Sequence, residues 1–247
     1  MTFENVYADE RRARSYADLR YPGTYYLAFR DLPALISRHT AGRRALDFGC
    51  GAGRSTRFLR ELGFDVVGVD VSDSMLAEAA KRDPGGDYRR IPVGSLGPVA
   101  DEKFDLVLCA FTFDNVSDPD VRKALFTAMG RALSPGGRIV NVVSSPAIYV
   151  NEWVSFTTRD FPENRMAKSG DRVRIIMLDV EDRRPVEDAF WTHSDYAGLF
   201  ASAGLLILEK HEPLGQDSDP FRWKTESSVS PWAIYVLGRE GGECEFR

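Results

Sequence analysis

The feature that most constrains this chain is a set of three glycines at alternate positions, Gly49, Gly51 and Gly53. They lie between RALDFG, whose apolar run predicts a short strand, and GRSTRFLRELG, whose periodicity predicts a helix. Glycines at such a junction let the backbone turn sharply and approach a ligand closely. The helix that follows also presents free N–H groups at its N-terminus. The sequence therefore predicts that residues 49–53 lie against a bound small molecule.

The chain around this loop alternates between apolar strands and helices from Arg43 to Ser144. Uninterrupted apolar segments such as DVVGVD and KFDLVLCAF are typical of strands in a parallel sheet that helices cover on both faces. The last two predicted strands, LLILEKHEP and PWAIYVLGR, have no helix between them, which favours antiparallel pairing. We therefore predict a doubly wound α/β sheet of seven mostly parallel strands with an antiparallel last strand, mixed at one edge.

Composition and charge argue against several classes of function. A net charge of −5 and a pI near 5.4 disfavour a broad nucleic-acid-binding face, which needs a basic surface. No apolar run approaches the roughly 18 residues of a membrane span, and the polar N-terminus lacks the apolar core of a signal peptide. Cys50, Cys109 and Cys244 fit neither a disulfide framework nor a zinc site. We expect a cytoplasmic protein that binds no metal, nucleic acid or membrane.

Acidic residues near the glycine loop indicate which ligand it binds. Asp70 ends the next predicted strand, 17 residues after Gly53, where a carboxylate can accept hydrogen bonds from both hydroxyls of a ribose. The dinucleotide fingerprint G-x-G-x-x-G requires a glycine where this chain has Arg54. The carboxylate of Asp47 suits a cationic amino-acid moiety and would repel a pyrophosphate, although it can instead cap the glycine turn. Together these features favour a nucleoside-containing cofactor.

Four motifs in order give the chain a family resemblance. LDFGCGAG resembles the first motif of the class I S-adenosylmethionine-dependent methyltransferases, and VVGVDVSDSML resembles the second. FDLVLCAFTFDNV looks like the fourth-strand motif, and LFTAMGRALSPGGRIV looks like the helix–turn–strand signature. The resemblance covers residues 40–145 closely and 194–238 by architecture. It implies a Rossmann-like fold and methyl transfer from S-adenosylmethionine, with S-adenosylhomocysteine as product, to a small molecule whose accepting atom (N, O, S or C) stays open.

The resemblance and the strand ends together give a set of cofactor contacts. The family's second motif implies that Met75 packs near the adenine, and Ser95 stands where the family often has an acid. Aromatic faces attract cations, so Phe111 can face the sulfonium, and Arg30 can pair with the cofactor's carboxylate. The candidate cofactor-binding residues are Tyr16, Tyr21, Arg30, Asp47, Gly49, Gly51, Gly53, Asp70, Val71, Met75, Ser95, Leu96, Ala110 and Phe111.

Two residues are candidates for catalysis. Asp114 follows the fourth predicted strand, where it can deprotonate or orient a nucleophile, or else cap the turn before the next helix. His193, in WTHSDY, can act as a base if it lies near the pocket. A base is needed only when the acceptor carries a proton that water cannot take. Orientation of nucleophile, methyl and sulfur in one line is the main requirement.

The resemblance also implies how a single domain over residues 1–247 is divided. In small-molecule methyltransferases that look like this chain, the N-terminal segment folds over the cofactor as a lid. The predicted parts are a helical lid at 1–40, with one helix over 27–39, a cofactor-binding half at 41–145, an inserted β-hairpin cap at 146–192, and a C-terminal helix and strands at 193–238. The oligomeric state stays open, with a homodimer as one option.

Two other functions remain open from the sequence. An NAD(P)-dependent reductase would also use a glycine loop and a ribose-binding acid, and cofactor preference would identify it. A non-catalytic binding module would keep the fold and the cofactor but lack an open acceptor pocket. The position of Arg54 and the acid Asp47 argue against the reductase.

Overall fold

A computed structural model describes residues 21–239 of the chain. The helices in this range are α1 (Thr24–Arg30), α2 (Leu32–His39), α3 (Arg54–Glu61), α4 (Asp73–Arg82), α5 (Pro119–Ala132) and α6 (His193–Ser202). The strands are β1 (Arg44–Phe48), β2 (Asp65–Asp70), β3 (Asp87–Arg90), β4 (Phe104–Ala110), β5 (Leu133–Ser144), β6 (Phe156–Thr157), β7 (Arg172–Met177), β8 (Val186–Ala189), β9 (Leu205–His211) and β10 (Trp232–Arg239). Short 3₁₀ helices cover Gly97–Val99, Thr112–Asn115, Pro146–Tyr149 and Pro162–Met166.

Seven of these strands form one sheet in the order β3-β2-β1-β4-β5-β10-β9. Strands β1 to β5 pair in parallel, whereas β10 pairs antiparallel with both β5 and β9. The predicted seven-stranded sheet with an antiparallel last strand is therefore confirmed. Strand β10 lies between β5 and β9, so the edge of the sheet is β9. The carboxyl ends of β1, β2, β4 and β5 meet at one side, where open α/β sheets bind their ligands.

The sheet separates two hydrophobic cores, one on each face. On one face α1, α2, α3 and the β7–β8 hairpin pack together, and on the other α5 and α6 pack together. Strand β10 contributes side chains to both cores, because successive side chains of a strand point to opposite faces. Trp232, Ile234 and Val236 belong to the first core, and Ala233, Tyr235 and Leu237 to the second. Burial on both faces explains why these strands read as uninterrupted apolar runs.

Two local predictions differ from the structure. Residues 27–39 form parts of two helices, because the chain turns at Asp31 and α2 starts again with Pro33 in its first turn. Proline lacks an N–H and is tolerated in a helix only at such a start. The Pro-Gly-Gly segment does not precede β5 but bulges within it, since Phe104 pairs with Leu133 while Leu106 pairs with Arg138.

The insertion after β5 contains the predicted hairpin, formed by the antiparallel strands β7 and β8. Strand β6 adds to β7 and completes a small three-stranded sheet, β6-β7-β8. Buried Glu226 ties this cap sheet to the body: its Oε1 accepts hydrogen bonds from Thr24 Oγ1 at 2.6 Å and from Val154 N at 2.7 Å. The cap sheet is therefore joined to α1 by a buried charged group. Between residues 21 and 239 no helix has the length and apolar character needed to cross a membrane.

Candidate active site

A cleft opens where the carboxyl ends of the parallel strands meet. Its open volume, counted together with the solvent at the mouth, is about 1500 Å³. The loops after β1, β2 and β4 line one end, and the cap sheet with the start of β10 lines the other. The cleft therefore extends from the cofactor loops to the cap sheet. Within the described part of the chain, no group of His, Cys, Asp and Glu side chains is arranged to hold a metal ion.

The three glycines of the loop are required for three different reasons. All have left-handed backbone angles, with φ of +74° at Gly49, +52° at Gly51 and +77° at Gly53. A Cβ at Gly49 would collide with the Thr112 side chain, and one at Gly53 would lie 2.5 Å from the Tyr88 hydroxyl. A Cβ at Gly51 would meet only the end of a methionine side chain and would otherwise enter the cleft. Gly49 and Gly51 line the cleft, while Gly53 starts α3 behind it.

Asp70 lies at the end of β2 and lines the cleft as predicted. Its Oδ2 accepts a hydrogen bond from Gly51 N at 2.9 Å, and its Oδ1 accepts one from Ser72 N at 2.8 Å. Burial raises the pKa of this carboxyl, and the two N–H donors oppose the rise. Each carboxylate oxygen has a second lone pair, so the fixed group can still accept a ribose hydroxyl. Val71 and Met75 line the cleft beside it, also as predicted.

Asp47 does not line the cleft, although it was a candidate contact for the cofactor. The side chain is fully buried, and its Oδ2 accepts hydrogen bonds from Ser55 Oγ at 2.8 Å and Thr56 Oγ1 at 2.6 Å. Burial raises the pKa of this carboxyl to about 6. Oδ1 has no hydrogen-bond partner among residues 21–239. The carboxylate ties β1 to the first turn of α3, just after the glycine turn that the sequence analysis expected it to cap as the alternative.

Arg54 occupies the place in the cleft that the sequence assigned to Arg30. The Arg54 guanidinium lies 4.9 Å from the ring centroid of Tyr25 and 5.3 Å from that of Phe29, and all three residues line the cleft. Arg30 instead pairs with Asp31 at 2.7 Å and Asp219 at 2.8 Å, away from the cleft lining. A guanidinium near the glycine loop suits a carboxylate ligand. The sequence signal that could have identified Arg54 is its position directly after the glycine loop, as the first residue of α3.

The tyrosines predicted to contact the cofactor are placed differently. Tyr21 packs its ring against Phe29 at 4.4 Å and Phe58 at 6.1 Å, and it does not line the cleft. Burial raises the pKa of its phenol to about 12. Tyr16 lies outside the described residues. Tyr25, in the first turn of α1, contributes the tyrosine ring that lines the cleft, where it faces Arg54.

The loop after β3 lines the cleft with residues other than those predicted. Ser95 is exposed, and its Oγ accepts a hydrogen bond from the backbone N–H of Gly97 at 3.0 Å. Leu96 is buried in the core on the α5 face. The lining residues are instead Ile91, Pro92, Val93 and Gly94. The loop reaches the cleft earlier than the resemblance implied because β3 ends at Arg90.

Ala110 and Phe111, at the end of β4, line the cleft as predicted. Phe111 has a φ of +63°, the single positive φ of a non-glycine residue in the described range. Its ring centroid is 4.7 Å from that of Trp232 and 5.5 Å from that of Tyr25. A bulky residue in this conformation is strained, and strained residues cluster at functional sites. With this backbone conformation the Phe111 ring packs against Tyr25 and Trp232, between the two ends of the cleft.

Asp114 lines the cleft next to the end of β5. Its carboxylate accepts hydrogen bonds from Ser144 N at 3.1 Å and Ser144 Oγ at 2.9 Å, and burial raises its pKa to about 6. Fully buried Arg122 holds the short helix that carries it, donating to the Phe113 carbonyl at 2.6 Å and to the Tyr196 hydroxyl at 3.0 Å. The position is suited to a group that handles an acceptor's proton.

Asp188 is a second carboxylate at this end of the cleft, and the sequence analysis missed it. Its Oδ2 accepts a hydrogen bond from the Tyr149 hydroxyl at 3.1 Å. Burial, and then the neighbouring Asp114 carboxylate, raise the pKa of Asp188 well above its ordinary value. The sequence could have indicated this position, because side chains alternate along a strand and Asp188 is therefore on the same face of β8 as buried Val186.

His193, the other catalytic candidate, is not brought to the cleft. It begins α6, its Nδ1 lies 2.7 Å from the Tyr235 hydroxyl, and its Nε2 lies 3.1 Å from a carboxylate oxygen of Glu212. The residue is not among those that line the cleft. Burial lowers the pKa of its imidazole. With both ring nitrogens engaged elsewhere, His193 has no place in a mechanism built on this geometry.

Comparison with known proteins agrees with this geometry. A family described as a methyltransferase domain matches residues 46–141, which include the glycine loop and the first four strands after it. The chain is 25% identical over 205 residues to N-demethylindolmycin N-methyltransferase of Streptomyces griseus, spanning 81% of this chain and 85% of that relative. It is 36% identical over 110 residues to a ubiquinone biosynthesis O-methyltransferase of Methylococcus capsulatus, spanning 42% of this chain and 45% of that relative.

A solved S-adenosylmethionine-dependent methyltransferase from Clostridium acetobutylicum has the same fold, with a TM-score of 0.60 at 19% identity. The superposition covers 92% of this chain and 94% of that protein. The predicted fold class and the predicted cofactor are thereby confirmed. The matched methyltransferase family, the named relatives and the common fold together support a class I S-adenosylmethionine-dependent methyltransferase.

Proposed function

We propose that this enzyme methylates a small, largely apolar molecule that lies beneath the cap sheet. The observation that carries the proposal is the second end of the cleft, which continues past the cofactor loops into a chamber with apolar walls. These walls are formed by Ile148, Phe156, Ile175, Met177, Val186 and Trp232. Buried apolar walls favour an acceptor that brings apolar surface with it.

The cofactor end of the cleft fits S-adenosylmethionine. The space that a Cβ at Gly51 would fill leaves room for a close approach of the ligand to the backbone. The fixed carboxylate of Asp70 can accept ribose hydroxyls, and the guanidinium of Arg54, which lines the same end of the cleft, suits the carboxylate of the amino-acid part. When bound, this cofactor supplies a methyl group that is activated by a positively charged sulfur.

The residues between the two ends would orient the reaction. The rings of Tyr25, Phe111 and Trp232 form a contiguous aromatic group, with centroids 4.7–5.6 Å apart. Aromatic faces attract cations without forming a bond to them, and they exclude water. An acceptor held in the chamber against these rings would face the methyl group in one direction only. Orientation of this kind can supply several kcal/mol of the barrier, on the order of 7–11 kcal/mol in well-aligned systems.

The names of the relatives support a small acceptor. N-demethylindolmycin and ubiquinone precursors are the small molecules that those names attach to the two relatives. The net charge of −5 also supports a small molecule over a nucleic acid, and it fits our expectation of a cytoplasmic enzyme. The division into lid, cofactor half, cap and C-terminal part is retained as a proposal, and the oligomeric state stays open.

Filling the chamber tests the proposal. Ile175 faces the cleft from β7, whereas its neighbour Ile176 lies outside the cleft lining. We expect Ile175→Trp to abolish the formation of S-adenosylhomocysteine with a panel of small aromatic acceptors. The rise in melting temperature given by S-adenosylmethionine, about 5–10 °C at 100 times its Kd, should remain. Ile176→Trp is the matched control and should keep turnover.

The same melting experiment distinguishes the proposed methyltransferase from an NAD(P)-dependent reductase. NAD should give no shift if the cofactor end binds as proposed. Full turnover by Ile175→Trp would show that the acceptor binds elsewhere, because a tryptophan at this position would project into the chamber.

A further inference from the structure

The charged residues that line the cleft are unevenly distributed. Within residues 21–239 they are Arg54 and Asp70 at the cofactor end, and Asp114 and Asp188 at the acceptor end. The short helix that carries Asp114 packs against β8, which carries Asp188. The acceptor end therefore holds two carboxylates in an apolar chamber and no cationic side chain from the described residues. An uncompensated negative charge in such surroundings calls for a positively charged partner.

We propose that Asp114 and Asp188 together bind the ammonium form of an amine acceptor, and that one of them takes the proton that must leave before the nitrogen is methylated. This inference rests on the proposed function, since it names the substrate class of the same chamber. It also makes the enzyme an N-methyltransferase. The two carboxylates would select a cationic amine over a neutral alcohol of equal size.

The placement of Asp188 is the first argument. The hairpin residues that face the cleft are Ile175, Met177, Val186 and Asp188, so a single acid stands on an otherwise apolar inner face. Glu187 points the other way, where it is exposed and pairs with Arg172 at 2.9 Å. An acid that served only solubility would lie on the outer face with Glu187. A carboxylate among apolar residues costs free energy unless a partner compensates it.

The unused hydrogen-bonding capacity is the second argument. Among residues 21–239 the carboxylate of Asp188 accepts one hydrogen bond, from the Tyr149 hydroxyl at 3.1 Å to Oδ2. Its Oδ1 therefore remains available on the cleft side. No ion pair to Asp114 or Asp188 occurs in the described part of the chain. Arg122, whose positive charge acts on Asp114, donates to the Phe113 and Val116 carbonyls and to the Tyr196 hydroxyl.

Electrostatics agree with this geometry. The titratable and charged groups that face the pair are Tyr149, Tyr196 and Arg122. Burial raises the pKa of both carboxyls, and each carboxylate makes ionisation of the other less favourable. The empty pair therefore holds its protons more readily than ordinary aspartates do. An incoming ammonium supplies the positive charge that lets both carboxyls ionise, so binding of the ammonium is coupled to release of protons from the pair.

The chemical step balances with these groups. A primary ammonium first gives one proton to a carboxylate, which leaves a neutral amine with a free lone pair. The nitrogen then forms the new N–C bond while the C–S bond breaks and its electron pair stays on sulfur. The product is a methylated ammonium that keeps the two remaining protons, and sulfur becomes a neutral thioether. The carboxylate is regenerated when its proton passes to solvent as product leaves.

A structural role for Asp188 is the competing explanation, because its bond to Tyr149 links the hairpin to the 3₁₀ helix after β5. Asp188→Asn separates the two explanations. The asparagine side-chain oxygen can still accept the Tyr149 hydrogen bond, but the charge is lost. Glu187→Gln removes the same charge from the outer face of the same strand and is the matched control.

The experiment measures binding and turnover for a panel of arylalkyl amines, each paired with the alcohol of the same skeleton. Binding is followed by ligand-observed NMR with S-adenosylhomocysteine present, and turnover by S-adenosylhomocysteine formation. We expect the wild-type chain and Glu187→Gln to bind amines at least tenfold more tightly than the alcohols. Asp188→Asn and Asp114→Asn should reduce that preference to about threefold or less, with melting curves that show folded protein.

The outcomes are distinguishable. Alcohols that bind and react as well as the amines would overturn the inference while leaving methyl transfer intact. An amine preference that persists in the Asp114→Asn/Asp188→Asn double variant would show that other groups select the acceptor, and would also overturn it. Absence of any melting shift with S-adenosylmethionine would instead contradict the proposed function on which the inference rests.

Discussion

The two ends of the cleft are built in opposite ways. The cofactor end comes mostly from a continuous stretch, β1 to the start of α4, and relies on backbone groups: Gly49 N and Cys50 N both donate to the Val69 carbonyl, at 2.8 and 3.0 Å, and Gly51 N donates to Asp70. The acceptor end is assembled from side chains of α1, β6, β7, β8 and β10, which are far apart in sequence. The first end can be recognised as a motif, and the second cannot.

This difference has an energetic side. At the cofactor end the buried polar groups hydrogen-bond to one another, as Asp70 does with two backbone N–H groups. At the acceptor end Asp188 is held by one hydroxyl, and two like charges lie near each other. Satisfied polar groups stabilise a fold, whereas like charges in an apolar place oppose it. We therefore expect the two ends to respond differently to substitution.

The largest effect should come from Gly51→Val at the cofactor end. A valine Cβ there would enter the cleft and meet Met75 Cε at 3.0 Å, with a φ of +52° that side chains rarely adopt. We expect S-adenosylmethionine to bind on the order of 100-fold more weakly, while the protein folds with a penalty of about 1–2 kcal/mol. Calorimetric titration would measure the binding, and thermal melting the stability.

Gly85→Val is the control for this variant. Gly85 is exposed, it lacks a left-handed φ, and a Cβ there meets no atom within 4 Å. It should bind S-adenosylmethionine as the wild type does. Unchanged binding in Gly51→Val would contradict the assignment of the glycine loop to the cofactor.

A smaller effect should follow Asp70→Ala, which removes the carboxylate and leaves the backbone turn. Loss of hydrogen bonds to a charged group typically costs about 1.5–3 kcal/mol, so the Kd should rise roughly 10- to 150-fold. Asp65→Ala, at the exposed start of the same strand, is the matched control. Equal Kd values for the two variants would mean that the ribose does not reach β2. Neither variant should change which acceptors react, because the acceptor end is built from other segments.

The smallest effect concerns stability at the acceptor end. The folded-state pKa of Asp188 is raised, so the folded protein binds more protons than the unfolded one and loses stability as the pH rises above the ordinary aspartate range. Asp188→Asn lacks this loss. We expect it to melt a few degrees above the wild type at pH 8, which corresponds to about 1 kcal/mol, and to lose that advantage near pH 4. A lower melting temperature than the wild type at both pH values would favour a purely structural carboxylate.

Sequence patterns predicted the sheet better than the site. Parallel strands buried on both faces leave a strong local signal, so the alternation and the antiparallel β10 were predictable. We predicted one helix over 27–39 because the apolar periodicity continues across the turn. The structure has two helices there, separated at Asp31, with Pro33 in the first turn of the second. For the site, the positions at strand ends lie at the cleft, as Gly49, Asp70 and Asp114 do.

Residues away from strand ends were placed less well, and the reason is side-chain direction. Arg30 pairs with Asp219, whereas Arg54 lies over two aromatic rings of the cleft. Asp188 lies in β8 and His193 begins α6, so the two are close in sequence. Of these two residues, Asp188 alone lines the cleft. Such choices depend on which partners the rest of the fold brings close.

The order of strands and helices along the chain, the glycine turn and the acid at the end of β2 could be predicted from local patterns, because each depends on residues close to it in the chain. Tertiary structure alone decided which aromatic rings meet Phe111 and which acid joins Asp114. Those contacts join α1, β8 and β10, and no local pattern encodes a meeting between segments that distant. The cofactor could thus be predicted from a sequence motif, whereas the residues that would select the acceptor are brought together by tertiary packing.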